Sequence, residues 1–279
     1  MMDLFSKTAF DCSELITKAY STSFSLGIRT LNKKYHQSIY AIYGFVRYAD
    51  EIVDTFHEHD KKDLLARFKK DTYQALEEKI SLNPILHSFQ LVVNKYQIDT
   101  DLIEAFLFSM EMDLDKKTYQ DKDYQTYIYG SAEVVGLMCL KVFCEGDEAE
   151  YQKLLTPAKH LGSAFQKVNF LRDMKSDFDE RGRVYFPEID FNNFTKEDKK
   201  NIEEDILSDF KASLIGIKSL PKDARAGVYL AYIYYTALFK KITALSHTRI
   251  KTERIRVPDF RKLLLLFRCY FLHKLNLIV

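Results

Sequence analysis

The sequence contains no tryptophan and is poor in the residues that form tight turns. Its 279 residues include 9 glycines and 5 prolines, against about 20 and 14 in a chain of average composition. Because sandwiches, barrels and propellers need many turns, these folds are disfavoured. The four cysteines form no CxxC pair, which argues against a disulfide scaffold or a zinc site and suits a reduced, cytoplasmic protein.

An excess of charge and an uninterrupted hydrophobic run are also missing. Forty-one basic and 40 acidic residues leave a net charge of +1, so the electrostatic field of the whole molecule gives no reason to expect a nucleic-acid partner. Asp3 and Lys7 interrupt the N-terminal region, and no secretion signal is expected. The apolar run from Leu263 to Val279 contains Arg268 and Lys274 and falls short of the roughly 20 residues that a spanning helix needs.

Apolar residues recur at helical spacing through most of the chain, without sustained alternation of period two and without an internal repeat. We predict one all-α domain over residues 1–279. An irregular segment is expected at 179–195, where glycine, proline and asparagine cluster. The predicted helices cover residues 10–24, 36–57, 61–80, 84–95, 99–114, 121–145, 148–178, 196–218, 221–246 and 258–275.

A polar stripe runs along the helix predicted at 36–57. Four of its residues fall within an arc of about 60°: Tyr43, Arg47, Asp50 and Asp54. The stripe borders the apolar face, so its carboxylates are expected to edge a cavity. Two aspartates one turn apart repel each other unless a cation lies between them, and Mg²⁺ accepts carboxylate oxygens together with phosphate. The alternative is a solvated face with an Arg47–Asp50 ion pair.

A second stripe precedes the irregular segment. Its members fall within an arc of about 80°: Gly162, Gln166, Asn169, Asp173 and Asp177. Amide oxygens beside carboxylates suit a second metal cluster, or residues that orient the ligands of one. Nearby arginines either grip phosphate oxygens or lie on the surface: Arg172, Arg181 and Arg183. Two acidic stripes facing one cavity would hold divalent ions around a diphosphate, and a carbocation would form in an aromatic pocket.

Two segments resemble the aspartate-rich motifs of the phytoene and squalene synthase family. Arg47-Tyr-Ala-Asp-Glu-Ile-Val-Asp54 resembles the first motif. Gln166-Lys-Val-Asn-Phe-Leu-Arg-Asp173, continuing through Asp177 to Arg181-Gly-Arg-Val-Tyr-Phe-Pro187, resembles the second. Weaker similarity to other family segments extends the resemblance over nearly the whole chain, at Tyr20–Phe24, Tyr127–Met138, Leu220–Ile242 and Pro258–Phe267.

The resemblance implies an all-α isoprenoid-synthase bundle with a central cavity, in which two prenyl diphosphates condense head to head with Mg²⁺ or Mn²⁺. One diphosphate is ionised, the double bond of the other attacks the allylic cation, and the resulting cyclopropyl diphosphate is ionised again and rearranged. Phytoene synthases then lose a proton and need no NADPH, whereas squalene synthases reduce the product with NADPH. We expect a phytoene synthase of carotenoid biosynthesis that uses geranylgeranyl diphosphate. The alternative is a squalene or dehydrosqualene synthase that uses farnesyl diphosphate.

Matching positions carry the family's residue roles to this chain. The metal ligands would be Asp50, Asp54, Asn169, Asp173 and Asp177. The substrate-binding residues would be Ser21, Ser23, Tyr43, Arg47, Gln166, Asn169 and Arg172. The four aspartates would be catalytic together with two residues that line the path of the cation, Tyr129 and Tyr235. A non-catalytic relative of the same fold remains an alternative, although it should have lost aspartates that are all present here.

Three residues depart from the family pattern. Glu51 stands where many members have Asp, but it lies off the stripe and should matter little. Thr22 occupies a place often filled by a base, which removes one phosphate contact. Glu133 replaces a small residue on the predicted face of Tyr129 and Gly136, so it either points out of the pocket or changes it. The closing segment mixes basic and apolar residues, and we expect it either to contact the inner face of an anionic membrane peripherally or to pack as a helix on the bundle.

Overall fold

The computed structural model describes residues 2–115, 118–252, 255, 264–266 and 269, apart from the side chain of Arg181. Within these ranges every extended regular element is a helix, and the one β-type contact is an isolated bridge between Thr118 and Val184. The predicted all-α class is confirmed. The helices are α1 (Met2–Tyr20), α2 (Thr22–Arg29), α3 (Lys33–Asp54), α4 (Lys61–Glu78), α5 (Pro84–Tyr96), α6 (Thr100–Asp115), α7 (Asp121–Ile128), α8 (Val134–Cys144), α9 (Glu148–Arg181), α10 (Lys196–Ser219), α11 (Lys222–Thr243) and α12 (His247–Ile250).

Capping side chains explain where several helices begin. The helix predicted at 10–24 is broken at Ser21, whose side chain accepts a hydrogen bond from the Phe24 amide and so starts α2. Thr195 and Asp198 form a reciprocal capping box at the start of α10. The helix predicted at 258–275 lies outside the described residues, except for 264–266 and 269.

A π-helical turn, Tyr129–Glu133, joins α7 to α8 inside the helix predicted at 121–145. Because a π turn holds more residues than an α turn, the helix faces before and after it are rotated relative to a continuous α-helix. In the part of the chain that the structure describes, Asp121–Cys144 is the one helical segment apolar and long enough to span a membrane. Its most apolar window is 61% buried inside the bundle, which is the behaviour of a core helix.

The helices that carry the two polar stripes are fixed by packing on their other faces. Phe45 of α3 stacks on Phe89 of α5, with ring centroids 3.9 Å apart. On α9, the buried Lys167 amino group lies 2.5 Å from Asp205 and 2.8 Å from Asp209 of α10. A Cβ atom at Gly162 would lie 2.8 Å from a carbonyl oxygen of the π turn, so only glycine permits this close approach.

Candidate active site

A cavity of about 1150 Å³ lies among α2, α3, α8, α9, α10 and α11. Its wall includes α9 from Leu154 to Glu180, which corresponds to about 39 Å of helix at 1.5 Å per residue. The α3 wall extends from Ile39 to Asp54, or about 22 Å. The cavity is therefore elongated. Much of its length is lined by apolar residues that include Ile28, Leu31, Ile39, Val135, Leu140, Phe143, Leu161 and Leu220.

The C-terminal turns of α3 and α9 form the acidic end of the cavity. Arg183, just beyond α9, lies 3.4 Å from the Asp54 carboxylate on α3, so the two helix ends are close together. Helix C-termini carry partial negative charge, and the last turn of α3 contains no basic residue. The C-terminal end of α3 therefore favours cations. The members of both stripes line the cavity, namely Tyr43, Arg47, Asp50, Asp54, Gly162, Gln166, Asn169, Asp173 and Asp177, and the carboxylates of each stripe lie nearest to its C-terminal end.

Arg47 presents an unused donor at this end. Its guanidinium forms an ion pair with Glu51 and lies 4.5 Å from the ring centroid of Tyr20. The Arg47 Nε atom is buried and has no hydrogen-bond partner among the described residues. A buried N–H without a partner is costly, and an anion in the cavity would satisfy it. The sequence left open whether Asp50 edges a cavity or lies on a solvated helix face. In the structure, Asp50 lines the cavity.

The second stripe is held by partners on α9 and α11. Arg172 donates from Nε to Asp173 at 3.0 Å. The Tyr235 hydroxyl donates to Asn169 Oδ1 at 3.2 Å, and the Tyr235 ring stacks on Phe165 with centroids 4.0 Å apart. Burial raises the pKa of Tyr235, so its hydroxyl stays protonated and can keep donating. This pair of rings lies beside the acidic end, where a carbocation would need stabilisation.

The N-terminal end of α2 forms another part of the wall. Ser21, Ser23 and Phe24 line the cavity, and Phe24 stacks on Tyr43 with ring centroids 4.8 Å apart. Burial raises the pKa of Tyr43. Thr22 is exposed and is not among the described residues that line the cavity.

Tyr129 is the predicted site residue that the structure does not bring to the cavity. It packs against the apolar core, with the Lys159 amino group 5.0 Å from its ring centroid, and it is not among the described lining residues. Glu133 is not among them either; burial raises the pKa of its carboxyl group, and Lys159 opposes the rise. Gly136 does line the cavity. The prediction that these three residues share one face of the helix is wrong, because the π turn lies between them. Tyr127, and not Tyr129, lines the cavity.

Sequence reasoning missed a buried polar cluster behind Asp54. Asp113 accepts hydrogen bonds from the Tyr127 hydroxyl at 2.7 Å and the Tyr119 hydroxyl at 3.1 Å. The guanidinium of Arg183 lies 3.5 Å from the Asp113 carboxylate and 3.4 Å from that of Asp54. Burial raises the pKa of Asp113, and Arg183 opposes the rise. The sequence left two alternatives for Arg183, a surface residue or a residue that grips phosphate. The structure supports neither, because Arg183 is buried and contacts two carboxylates.

The carboxylate and amide oxygens of the two stripes suit divalent metal ions that bind together with a substrate. Among the described residues, no three acidic, histidine or cysteine side chains lie close enough to form a complete metal site. Mg²⁺ is usually held by one or two carboxylates, with water and substrate phosphates completing its shell. Asp50 and Asp54 on one wall, and Asn169, Asp173 and Asp177 on the other, offer such partial sets.

A helical bundle with a long apolar cavity and an acidic end has the shape and the charge of an enzyme for prenyl diphosphates. Residues 17–261 match the squalene/phytoene synthase family, and the chain belongs to this family of prenyltransferases. It is 29% identical over 203 residues to the 4,4'-diapophytoene synthase of Staphylococcus haemolyticus, covering 70% of this chain and 67% of that protein. It is 28% identical over 291 residues to the 15-cis-phytoene synthase of Synechocystis, covering 92% and 83%.

Solved structures show the same fold. A dehydrosqualene synthase crystallised with a ligand superposes with a TM-score of 0.82 at 24% identity, covering 96% of this chain and 98% of the other. A squalene synthase from Alicyclobacillus acidocaldarius superposes with a TM-score of 0.75 at 18% identity, covering 86% and 94%. The predicted isoprenoid-synthase fold is confirmed.

Proposed function

We propose that this protein is a phytoene synthase, which joins two geranylgeranyl diphosphates head to head through prephytoene diphosphate. The observation that carries the proposal is the pair of acidic stripes on α3 and α9, which meet at one end of a long apolar cavity. Each stripe offers a place for one diphosphate, while the apolar walls accept the two hydrocarbon chains. The alignment with a 15-cis-phytoene synthase over 92% of this chain supports the choice.

The acidic end binds the diphosphates. Mg²⁺ or Mn²⁺ would be held by Asp50 and Asp54 at one diphosphate, and by Asn169, Asp173 and Asp177 at the other, and would neutralise the leaving group. Other residues of the same end would bind phosphate oxygens directly. These are Ser21 and Ser23 through their hydroxyls, Gln166 through its amide, and Arg47 and Arg172 through their guanidinium groups.

The aromatic wall protects and stabilises the cation. The stacked Tyr235 and Phe165 rings, and the stacked Tyr43 and Phe24 rings, line a cavity whose walls are largely apolar. Ring faces attract cations, and the exclusion of water prevents capture of the cation as an alcohol. The final cation is then quenched by proton loss to a diphosphate oxygen or a tyrosine hydroxyl, so this reaction consumes no NADPH.

The second candidate is condensation of two farnesyl diphosphates to the thirty-carbon product. The 4,4'-diapophytoene synthase of Staphylococcus haemolyticus favours it, since that relative is 29% identical over 203 residues. The same aspartates and aromatic residues would act in this reaction. The two candidates differ only in how much of the apolar length the substrate occupies.

Product analysis tests the proposal. The purified protein is incubated with Mg²⁺ and with either the twenty-carbon or the fifteen-carbon diphosphate, each with and without NADPH. We expect phytoene from the twenty-carbon substrate in both nucleotide conditions. Preferential conversion of the fifteen-carbon substrate without NADPH would replace the proposal with the second candidate. Product formed only with NADPH would indicate a squalene synthase.

A further inference from the structure

We propose that Arg183 is a positioning residue that acts on the reaction through Asp54, with Asp113 as its anchor. The inference rests on the proposed function, since it gives Asp54 a part in binding the metal-bound diphosphate. Arg183 lies outside both polar stripes, in the irregular segment that follows α9.

The Arg183 side chain is enclosed by carboxylates and a tyrosine. Its Nη1 atom lies 3.4 Å from Asp54 Oδ1, 3.5 Å from Asp113 Oδ1 and 3.2 Å from the Tyr185 hydroxyl. Its Nη2 atom donates to the backbone oxygen of Asp113 at 2.7 Å. A guanidinium group stays charged at all relevant pH values, so Arg183 keeps its positive charge between the two carboxylates.

Arg183 is buried behind the cavity wall. Only 8% of its surface is exposed, and it is not among the described residues that line the cavity, whereas Asp54 and Asp113 are. The guanidinium group that would contact a diphosphate directly is already held by both carboxylates. Removing one partner of a buried ion pair is costly, because it leaves an uncompensated charge. The geometry therefore favours action through Asp54.

The anchor of Arg183 is rigid. Asp113 is 7% exposed and is fixed by the Tyr127 and Tyr119 hydroxyls at 2.7 and 3.1 Å. An anchored carboxylate keeps the guanidinium in one place, and the guanidinium in turn limits where the Asp54 carboxylate can lie.

The backbone of Arg183 connects the same residue to the second stripe. Its amide donates to the carbonyl oxygen of Asp177 at 2.9 Å. The chain reverses at Gly182, whose φ of +63° is a left-handed conformation that favours glycine. Arg183 thus contacts Asp54 through its side chain and Asp177 through its backbone, so it fixes the two stripes relative to each other before a ligand arrives.

The test measures Mn²⁺ binding by electron paramagnetic resonance in the presence of inorganic pyrophosphate, so no turnover is needed. Arg183→Lys keeps the charge and removes the planar fork. We expect the half-saturating Mn²⁺ concentration to rise about tenfold, as for other residues that orient metal ligands. In an Asp54→Asn background the same change should have less than about a twofold effect, because its target is gone.

Controls separate positioning from general damage. Circular dichroism checks folding, and Arg67→Lys, in an exposed pair with Asp63, should leave Mn²⁺ binding unchanged. Equal effects of Arg183→Lys in both backgrounds would show that Arg183 acts independently of Asp54, which would overturn the inference. The absence of any effect in the parent background would overturn it as well. If Arg183→Lys does not fold, Tyr185→Phe replaces it in the same comparison of the parent and Asp54→Asn backgrounds. We then expect the half-saturating Mn²⁺ concentration of the parent to rise about twofold. A parent protein without pyrophosphate-dependent Mn²⁺ binding would overturn the proposed function instead.

Discussion

The acidic end of the cavity is assembled from residues far apart in the chain, whereas the apolar length is lined by residues of the core. Asp54 meets Arg183, and Asp113 from a third element completes the cluster. Along the apolar length, Leu31, Ile39 and other lining residues belong to the main buried cluster. Changes at the acidic end should therefore affect chemistry far more than stability, while changes along the apolar length should affect stability and product together.

The largest effect is expected at the acidic end. Asp50→Asn and Asp173→Asn each remove a charge from one stripe, and we expect turnover to fall by about two to three orders of magnitude, as when other groups that stabilise developing charge are removed. The free energy of unfolding should change by no more than about 0.5 kcal/mol in Asp50→Asn. Asp173→Asn also weakens the largely buried ion pair with Arg172, and we expect it to lower the free energy of unfolding by about 1 kcal/mol. Steady-state rates and thermal melts measure the two effects. Near-normal turnover in either variant would reject a diphosphate site at that stripe.

The aromatic wall between the two regions should control the product. Tyr235→Ala removes the ring that stacks on Phe165, and a desolvated cation–ring contact contributes about 2 kcal/mol. We expect alcohols or the cyclopropyl intermediate to replace most of the hydrocarbon. Tyr235→Phe keeps the ring and loses the hydrogen bond to Asn169, so it should keep hydrocarbon as the main product. An unchanged product mixture in the alanine variant would show that this ring does not face the cation.

Two glycines give a matched test of the packing along α8 and α9. A Cβ atom at Gly162 would lie 2.8 Å from the carbonyl oxygen of Ala132, whereas one at Gly136 would lie 3.6 Å from that of Ala158. We expect Gly162→Ala to lower the free energy of unfolding by about 2 kcal/mol through overpacking. Gly136→Ala should be neutral or stabilising, because alanine favours the helix. Equal melting temperatures would contradict the close approach of α9 to the π turn.

The smallest effect concerns a thiol on the apolar wall. Burial raises the pKa of Cys139 to about 12. Since the thiolate is the reactive form, about one thiol in ten thousand would be ionised at pH 8, and alkylation should be slow and speed up about tenfold per pH unit until the pKa is reached. Mass spectrometry after iodoacetamide treatment follows Cys139, with Cys139→Ser as the control for assignment. Rapid alkylation at pH 8 would show that water fills this part of the cavity.

Helical periodicity predicts the acidic residues because each stripe lies on one uninterrupted helix. Asp50 and Asp54 share a face of α3, as Asp173 and Asp177 do on α9, and the structure brings all four to one cavity. The same reasoning failed for Tyr129. Nothing in the local sequence indicates the π turn, which shifts the face that meets the cavity.

The cluster behind Asp54 was beyond prediction for a different reason. Asp113 lies on α6, Tyr127 on α7 and Arg183 after α9, and their contacts depend on how these elements pack. Asp113 lies between Glu111 and Asp115 near the end of α6, and nothing in this acidic stretch indicates which of the three carboxylates is buried. Arg183 lies within the segment that resembles the family's second motif, but that resemblance does not indicate that Arg183 contacts carboxylates.

The central claim is that each stripe serves one diphosphate, with both chains extending along the apolar length. A crystal structure with Mn²⁺ and a non-ionisable thiolo analogue of geranylgeranyl diphosphate tests it most directly, because anomalous scattering locates the metal. We predict Mn²⁺ beside Asp50 and Asp54 and again beside Asp173 and Asp177, with one diphosphate at each stripe. Metal at a single stripe, or diphosphates bound away from both, would contradict the account.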